Sequence, residues 1–247
     1  MHDKDSRRDY LLNRRIEFYQ PTNGYRASTD AVFLAALVDG VKKGEKILDV
    51  GSGTGAVALC LAARFREQTP EITGIEVQSR LAELSNLSAA ANGFERLKFI
   101  NADIADTRLP PCSFDRVISN PPYAEHDLPS PNPGKALAHN HHGEGLSGWL
   151  EFMIKMLQPR GYFYMINRCE ALTEILSVLH GRLGDVTLVP MFSKAGQPAK
   201  RILIRARKDS KAPLRLHPGL IVHESDGTHT PAASAILRDA KGLFEPF

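Results

Sequence analysis

Asn120-Pro121-Pro122-Tyr123 follows the apolar run Phe114–Ser119. Two consecutive prolines fix φ and donate no backbone N–H, so this turn is stiff and its carbonyls are free to accept. The Asn120 side chain and a neighbouring carbonyl can take both hydrogens of a planar exocyclic amine or amide. Tyr123 adds a flat face for stacking. At the C-terminal end of a strand, such a turn suits methylation of a planar nitrogen. A second set of residues lies upstream, in Asp49-Val50-Gly51-Ser52-Gly53-Thr54-Gly55, between an apolar run and a helical pattern. Glycines let the backbone turn sharply and pass close to a ligand, and the helix start behind them presents free N–H groups. The spacing G-x-G-x-G is not the G-x-G-x-x-G of the dinucleotide fingerprint. Asp49 would sit badly beside a pyrophosphate, but it suits a ligand carrying an amine and a sulfonium, which points to S-adenosylmethionine. Glu76 ends the next apolar run, roughly 20 residues on, where a carboxylate takes ribose hydroxyls in open α/β sheets. Asp103, in Asn101-Ala102-Asp103, is placed to accept from an adenine amino group.

The elements that must hold these residues alternate. Strands are expected at Glu45–Val50, Glu71–Glu76, Leu97–Asn101, Phe114–Ser119, Gly161–Asn167, Asp185–Phe192 and Lys200–Arg207. Helices are expected over Gly55–Arg66, Ser79–Asn92, Leu146–Leu157, Glu170–His180 and Pro231–Ala240, with a loop from Pro121 to Gly145. Apolar strands alternating with helices argue for a parallel sheet covered on both faces. The last two strands are joined only by Ser193–Ala199, too short for a parallel crossover. The fold class expected is therefore α/β, doubly wound, with a mostly parallel seven-stranded sheet and one antiparallel late strand. Asp49, Glu76, Asp103 and Asn120 then converge on the switch point where such sheets bind ligands.

The 247 residues, 43% of them hydrophobic and 24% charged, suit one globular domain. Within it, residues 1–24 are expected as an N-terminal arm, 25–208 as the core and 209–247 as a C-terminal extension. The polar N-terminus lacks the apolar stretch of a secretory signal, and no run is long enough to span a bilayer. Cys60, Cys112 and Cys169 are odd in number and scattered, which fits reduced thiols in the cytoplasm. Net charge is only +3, yet basic residues crowd Lys194–Arg215 and recur at Arg7, Arg8, Arg14 and Arg15. Such segments either neutralise RNA phosphates or form a solvated strand edge and a mobile arm. The cluster His139-Asn140-His141-His142 has no metal-ligand spacing and no nearby cysteine; no metal is expected. Trp149 reads as core.

The glycine loop, Glu76, Asp103 and Asn120–Tyr123 occur in the order found in class I S-adenosylmethionine-dependent methyltransferases, which the chain resembles from about Tyr25 to Arg207. Three stretches resemble the bacterial valine-tRNA N6-adenosine methyltransferases in particular: Gly24–Ala35, Gly74-Ile75-Glu76-Val77-Gln78, and the tail from Leu220 through Thr230. The resemblance implies that Ser28, Thr29 and Asp30 help line the methionine end of the cofactor. It implies that Asp49, Gly51, Gly53 and Gly55 hold the cofactor's amino acid and pass under its body. Asn120, Pro121, Pro122 and Tyr123 would then hold the target base, an adenine in RNA and most simply in tRNA. The loop from Ala124 to Glu144 does not match that group.

A protein glutamine side chain presents the same planar NH2, so a glutamine methyltransferase is a rival. Only about 48 residues precede the loop, leaving little room for the extra N-terminal domain of such enzymes. A DNA adenine methyltransferase lacks a visible target-recognition domain here. A non-catalytic RNA-binding module that keeps the fold is the rival from another class, and the intact acids and turn speak against it. Oligomeric state is not legible.

Overall fold

The computed structural model describes residues 5–24, 26–122 and 145–245. A hairpin of β1 (Ser6–Leu11) and β2 (Ile16–Pro21) comes first. It is followed by α1 (Thr29–Leu37), β3 (Lys46–Val50), α2 (Ala56–Arg64), β4 (Glu71–Glu76), α3 (Ser79–Ala91), β5 (Leu97–Asn101) and β6 (Phe114–Ser119). Then come α4 (Gly145–Met156), β7 (Leu157–Arg168), α5 (Leu172–Leu179), β8 (Leu183–Phe192), β9 (Ala199–Lys208), β10 (Arg215–Leu216), β11 (Leu220–Ile221) and α6 (Pro231–Asp239).

The main sheet runs β5-β4-β3-β6-β7-β9-β8, with β10 and β11 both on the outer side of β8. It has nine strands where seven were expected; the two additions are two-residue edge strands in the tail. β9 is the antiparallel strand, inserted between β7 and β8, as the short Ser193–Ala199 connection required. The remaining pairings are parallel, and both faces are covered. One core gathers α1, α2, α6 and the hairpin around Ile47, Ile118 and Tyr164. The other packs α4 and α5 on Leu48, Val117 and Phe163.

The expected N-terminal arm is largely a hairpin docked on the body. Ile16 and Phe18 are buried on alternate positions of β2. The Asn92 carboxamide behaves as a one-residue strand: its Oδ1 accepts from the Glu17 N–H at 3.0 Å and its Nδ2 donates to the Glu17 carbonyl at 2.5 Å. Ser88 Oγ accepts from the Tyr19 N–H. Asn92→Ala removes both bonds from one edge, and its expected cost is about 1–2 kcal/mol, read from chemical unfolding midpoints.

Arg64 ties the C-terminal extension to the same face. It donates to the Ala35 and Val38 carbonyls at the end of α1 and to the Ala240 carbonyl beyond α6. On β6, buried Arg116 donates through Nε to Glu45 at 2.6 Å. Its other nitrogens reach the Tyr164 hydroxyl and the Asp39 and Gly40 carbonyls. No helix among the described residues is long and apolar enough to cross a membrane.

Candidate active site

Register sets the site. Val50 lies opposite Ile75 on one side and Ser119 on the other, and Glu76 lies opposite Asn101. The four parallel strands therefore stop at one level, and the residues just past or at their ends sit along one edge. Asp49 is the penultimate residue of β3 and the glycine loop follows it, Glu76 ends β4, Asp103 follows β5, and Asn120 follows β6. β3 has β4 on one side and β6 on the other, so successive strands are added outward in opposite directions from β3, which makes this edge the switch point.

The loop itself is held from three sides. Gly51 and Gly55 have φ of +68° and +78°, the left-handed region where a side chain is strained. They are also closely covered. A Cβ on Gly51 would stand 2.7 Å from the Trp149 ring, and one on Gly55 would stand 2.6 Å from the Phe99 ring. The Gly53 N–H donates to Glu76 Oε2 at 2.8 Å, and the Gly53 carbonyl accepts from Ser85 Oγ at 3.0 Å. The other Glu76 oxygen accepts from the Gln78 N–H. Each carboxylate oxygen can accept more than one bond, so Glu76 retains capacity for a ligand hydroxyl. Gly55 also begins α2 with no side-chain cap, leaving first-turn N–H groups for a ligand.

Polar groups in this cradle are left unsatisfied. Both Asp49 carboxylate oxygens, Ser52 Oγ and Thr54 Oγ1 are buried without a hydrogen-bond partner. Buried polar groups are nearly always paired in a finished structure, so four orphan oxygens between Asp49 and Thr54 mark a place built for a polar ligand. Burial pushes the Asp49 carboxyl up to about 7, with the Ala58 amide opposing and the Glu76 charge adding to the rise. Burial raises Glu76 as well, against the pull of the Gln78 and Gly53 amides. Two buried acids with raised pKa values favour a cationic ligand over an anionic one. A sulfonium with an α-amino group meets that demand, so the residues fit S-adenosylmethionine.

The Asp49 shift carries a pH dependence with a definite sign. A cation bound beside Asp49 favours its ionised form, so affinity for S-adenosylmethionine is expected to rise with pH up to about 7 and then level off. Asp49→Asn should flatten that profile in calorimetric titrations between pH 5.5 and 8.5. The ligand-free protein moves the other way. It loses stability as pH climbs from the ordinary carboxylate range towards about 7, because the folded state must then hold a charge that burial disfavours.

The remaining expected residues divide. Ser28 is the N-cap residue of α1 and makes no side-chain cap bond; Thr29 is exposed. Asp30 Oδ2 is 3.1 Å from Arg201 Nε on β9, and Arg201 lies opposite Arg168, the last residue of β7. That pair fixes the start of α1 on the site edge. Asp103 Oδ1 accepts from the Ala105 N–H. Pro121 is buried and Pro122 exposed. Tyr123, Tyr25, the Ala124–Glu144 loop and the His139–His142 cluster lie outside the described residues.

The basic segments are more internally paired than their charge count implies. Arg201, Arg205 and Arg215 meet Asp30, Asp39 and Asp185. Arg7, Arg8 and Arg15 meet Asp9, Glu17 and Asp239. Sequence reasoning also missed Phe99, Ser85 and Gly74 as loop supports. A Cβ on Gly74 would stand 2.3 Å from the Phe99 ring, and a lone glycine inside a strand was the available signal for such a close approach.

A methyltransferase domain family matches residues 41–200. The chain belongs to that family. The methyltransferase is 31% identical over 229 residues to the tRNA1(Val) (adenine(37)-N6)-methyltransferase of Pedobacter heparinus, covering 92% of this chain and 95% of that one. It is 29% identical over 234 residues to the enzyme of the same name from Porphyromonas gingivalis, covering 90% and 91%. Among solved structures, a predicted O-methyltransferase from Agrobacterium tumefaciens superposes with a TM-score of 0.71 at 26% identity, over 87% of this chain and 97% of that one. The structure of M. jannaschii TYW2 in complex with AdoMet gives a TM-score of 0.58 at 13% identity, over 84% and 87%, and shows shared fold alone.

Proposed function

We propose that the methyltransferase transfers a methyl group from S-adenosylmethionine to the exocyclic N6 of an adenine in tRNA. The observation that carries this reading is the position of the Asn120-Pro121 turn at the end of β6, next to β3 with its glycine loop and orphaned Asp49. The names of the Pedobacter and Porphyromonas relatives support the adenine and the tRNA. S-adenosylmethionine supplies the methyl on a sulfonium. Asp49 and the α2 N-terminus would hold its amino acid end, Ser52 and Thr54 would take further polar contacts, and Glu76 would receive the ribose hydroxyls.

On the acceptor side, the N6 lone pair is delocalised into the ring. Asn120 Oδ1 and the Pro121 carbonyl would accept both amino hydrogens and draw density back onto nitrogen. They would also aim it in line, within about 3–3.5 Å of the methyl carbon. A turn of carbonyl acceptors suits nitrogen better than a hydroxyl, whose methylation needs a base to take its proton. The product nitrogen is acidic once alkylated and loses its proton without a strong base. An adenine in folded RNA must be splayed out to enter, then read by stacking and along its Watson–Crick edge. The reading takes the chain as one methyltransferase domain, hairpin and tail included, working in the cytoplasm where tRNA is matured.

The test is incubation with labelled S-adenosylmethionine and separate RNA, DNA and protein fractions, followed by nucleoside analysis. Label in N6-methyladenosine within tRNA is the expected result. Label in protein, on a glutamine amide, would replace this reading with its rival.

A further inference from the structure

We propose that Trp149 is a positioning residue for methyl transfer, setting the spacing between the glycine loop that carries the donor and the Asn120 turn that holds the acceptor. The proposal rests on the acceptor role given to Asn120. Trp149 lies on α4, across the sheet from α1 and α2, in the core that contains Leu48, Val50 and Ile75. Its indole Nε1–H donates to Ser119 Oγ at 2.9 Å, and Ser119 Oγ in turn donates to the Val50 carbonyl at 2.7 Å. Ser119 is fully buried. Val50 and Ser119 are the last residues of β3 and β6 and stand opposite each other. The relay therefore clamps two adjacent strand ends together at the level where each strand gives way to its functional segment.

The same indole presses on the donor side directly. Its Cζ2 and Cη2 atoms occupy the space beside Gly51 that a side chain there would need. One rigid ring thus contacts Gly51, the residue after Val50, and hydrogen-bonds directly to Ser119, the residue before Asn120. A phenylalanine would fill much of the same volume but could not donate to Ser119. The N–H is therefore the part of Trp149 that packing does not explain. Displacements of about 1 Å between donor and acceptor can cost on the order of 100-fold in rate, so loosening this clamp acts on turnover before it acts on binding.

Trp149 is the chain's sole tryptophan, so tryptophan emission reports on the surroundings of this one indole. Titrating the wild-type protein with S-adenosylhomocysteine is expected to shift tryptophan emission in step with calorimetric saturation. Unchanged emission at saturation would count against the contact. Trp149→Phe and Ser119→Ala are each expected to lower kcat on unmodified tRNA by about tenfold. The KM for tRNA and the Kd for S-adenosylmethionine should stay within about twofold. The double variant should lose no more than the worse single one, because both remove the same relay. Losses that add, or that follow melting temperature, would reduce Trp149 to core packing. Turnover within about twofold of wild type in both single variants would sink the proposal. Asn120→Ala run alongside separates the two readings. If that variant is fully active the acceptor assignment fails, whereas wild-type-like relay variants beside an inactive Asn120→Ala fail the relay alone.

Discussion

Replacing Asn120 with alanine is expected to lower methyl transfer by about 100- to 1000-fold, the usual cost of removing one preorganised hydrogen-bond partner aimed at the reacting group. The dissociation constant for S-adenosylmethionine should change by no more than about twofold, so the loss falls on kcat. The separation follows from where the groups sit. Asp49, Ser52, Thr54 and Glu76 belong to β3 and β4 and to the loop between strand and helix. On β6, Ser119 bonds back to Val50. The cradle's supports, Phe99, Ser85 and Glu76, lie on other elements, so removing the Asn120 carboxamide is expected to leave them in place. Asn120→Asp keeps an acceptor oxygen of the same reach and should retain far more turnover than Asn120→Ala. Tritiated-methyl transfer measures the rates and calorimetry the affinity. Near-wild-type turnover in Asn120→Ala would show that the turn does not hold the acceptor.

Replacing Arg116 with methionine is expected to destabilise the fold by about 3–5 kcal/mol, the cost of stranding one partner of a buried ion pair. For a chain of this size that corresponds to a melting-temperature drop of roughly 10 °C. Arg116 is almost fully buried, and its fork satisfies Glu45, the Tyr164 hydroxyl and the Asp39 and Gly40 carbonyls together. Methionine fills the stem's volume but strips the Glu45 carboxylate, itself largely buried, and the Asp39 and Gly40 carbonyls of their shared guanidinium donor. Lysine keeps the charge without the planar fork and should fall between. Calorimetric melting of the three proteins decides this, and a shift under about 2 °C in Arg116→Met would show that the network adds little. Both effects concern β6, whose N-terminal part is anchored by Arg116 and whose C-terminal end carries Asn120.

Much of this architecture was legible because it rests on local rules. Apolar strands alternating with helices, and the short Ser193–Ala199 connection, were enough to place one antiparallel strand among parallel ones. The hairpin was harder to see. Ile16, Phe18 and Gln20 do alternate as a strand should, but the turn Leu12-Asn13-Arg14-Arg15 contains no glycine. It uses three consecutive left-handed residues, at φ of 49°, 52° and 66°, a conformation that leucine and arginine do not advertise. The pairing of the basic residues was illegible for a different reason. Arg201 and Asp30 are 171 positions apart, and charge counted along a sequence is blind to a partner that far away. Trp149 read as core, and it is buried; its bond to Ser119 depends on how α4 lies across the strand ends, which periodicity does not describe.

The amino-acid sequence by itself determined the chemistry on offer. Glycines, prolines and an asparagine placed at strand ends constrain their own φ and their own hydrogen-bonding capacity, whatever surrounds them. Only the tertiary structure decided that Asp49, Glu76 and Asn120 stop at one level and that a single indole reaches both sides of the gap between donor and acceptor. Neighbours in a parallel sheet are chosen by helical crossovers and by the packing of two cores, and those are contacts between residues that the sequence keeps far apart.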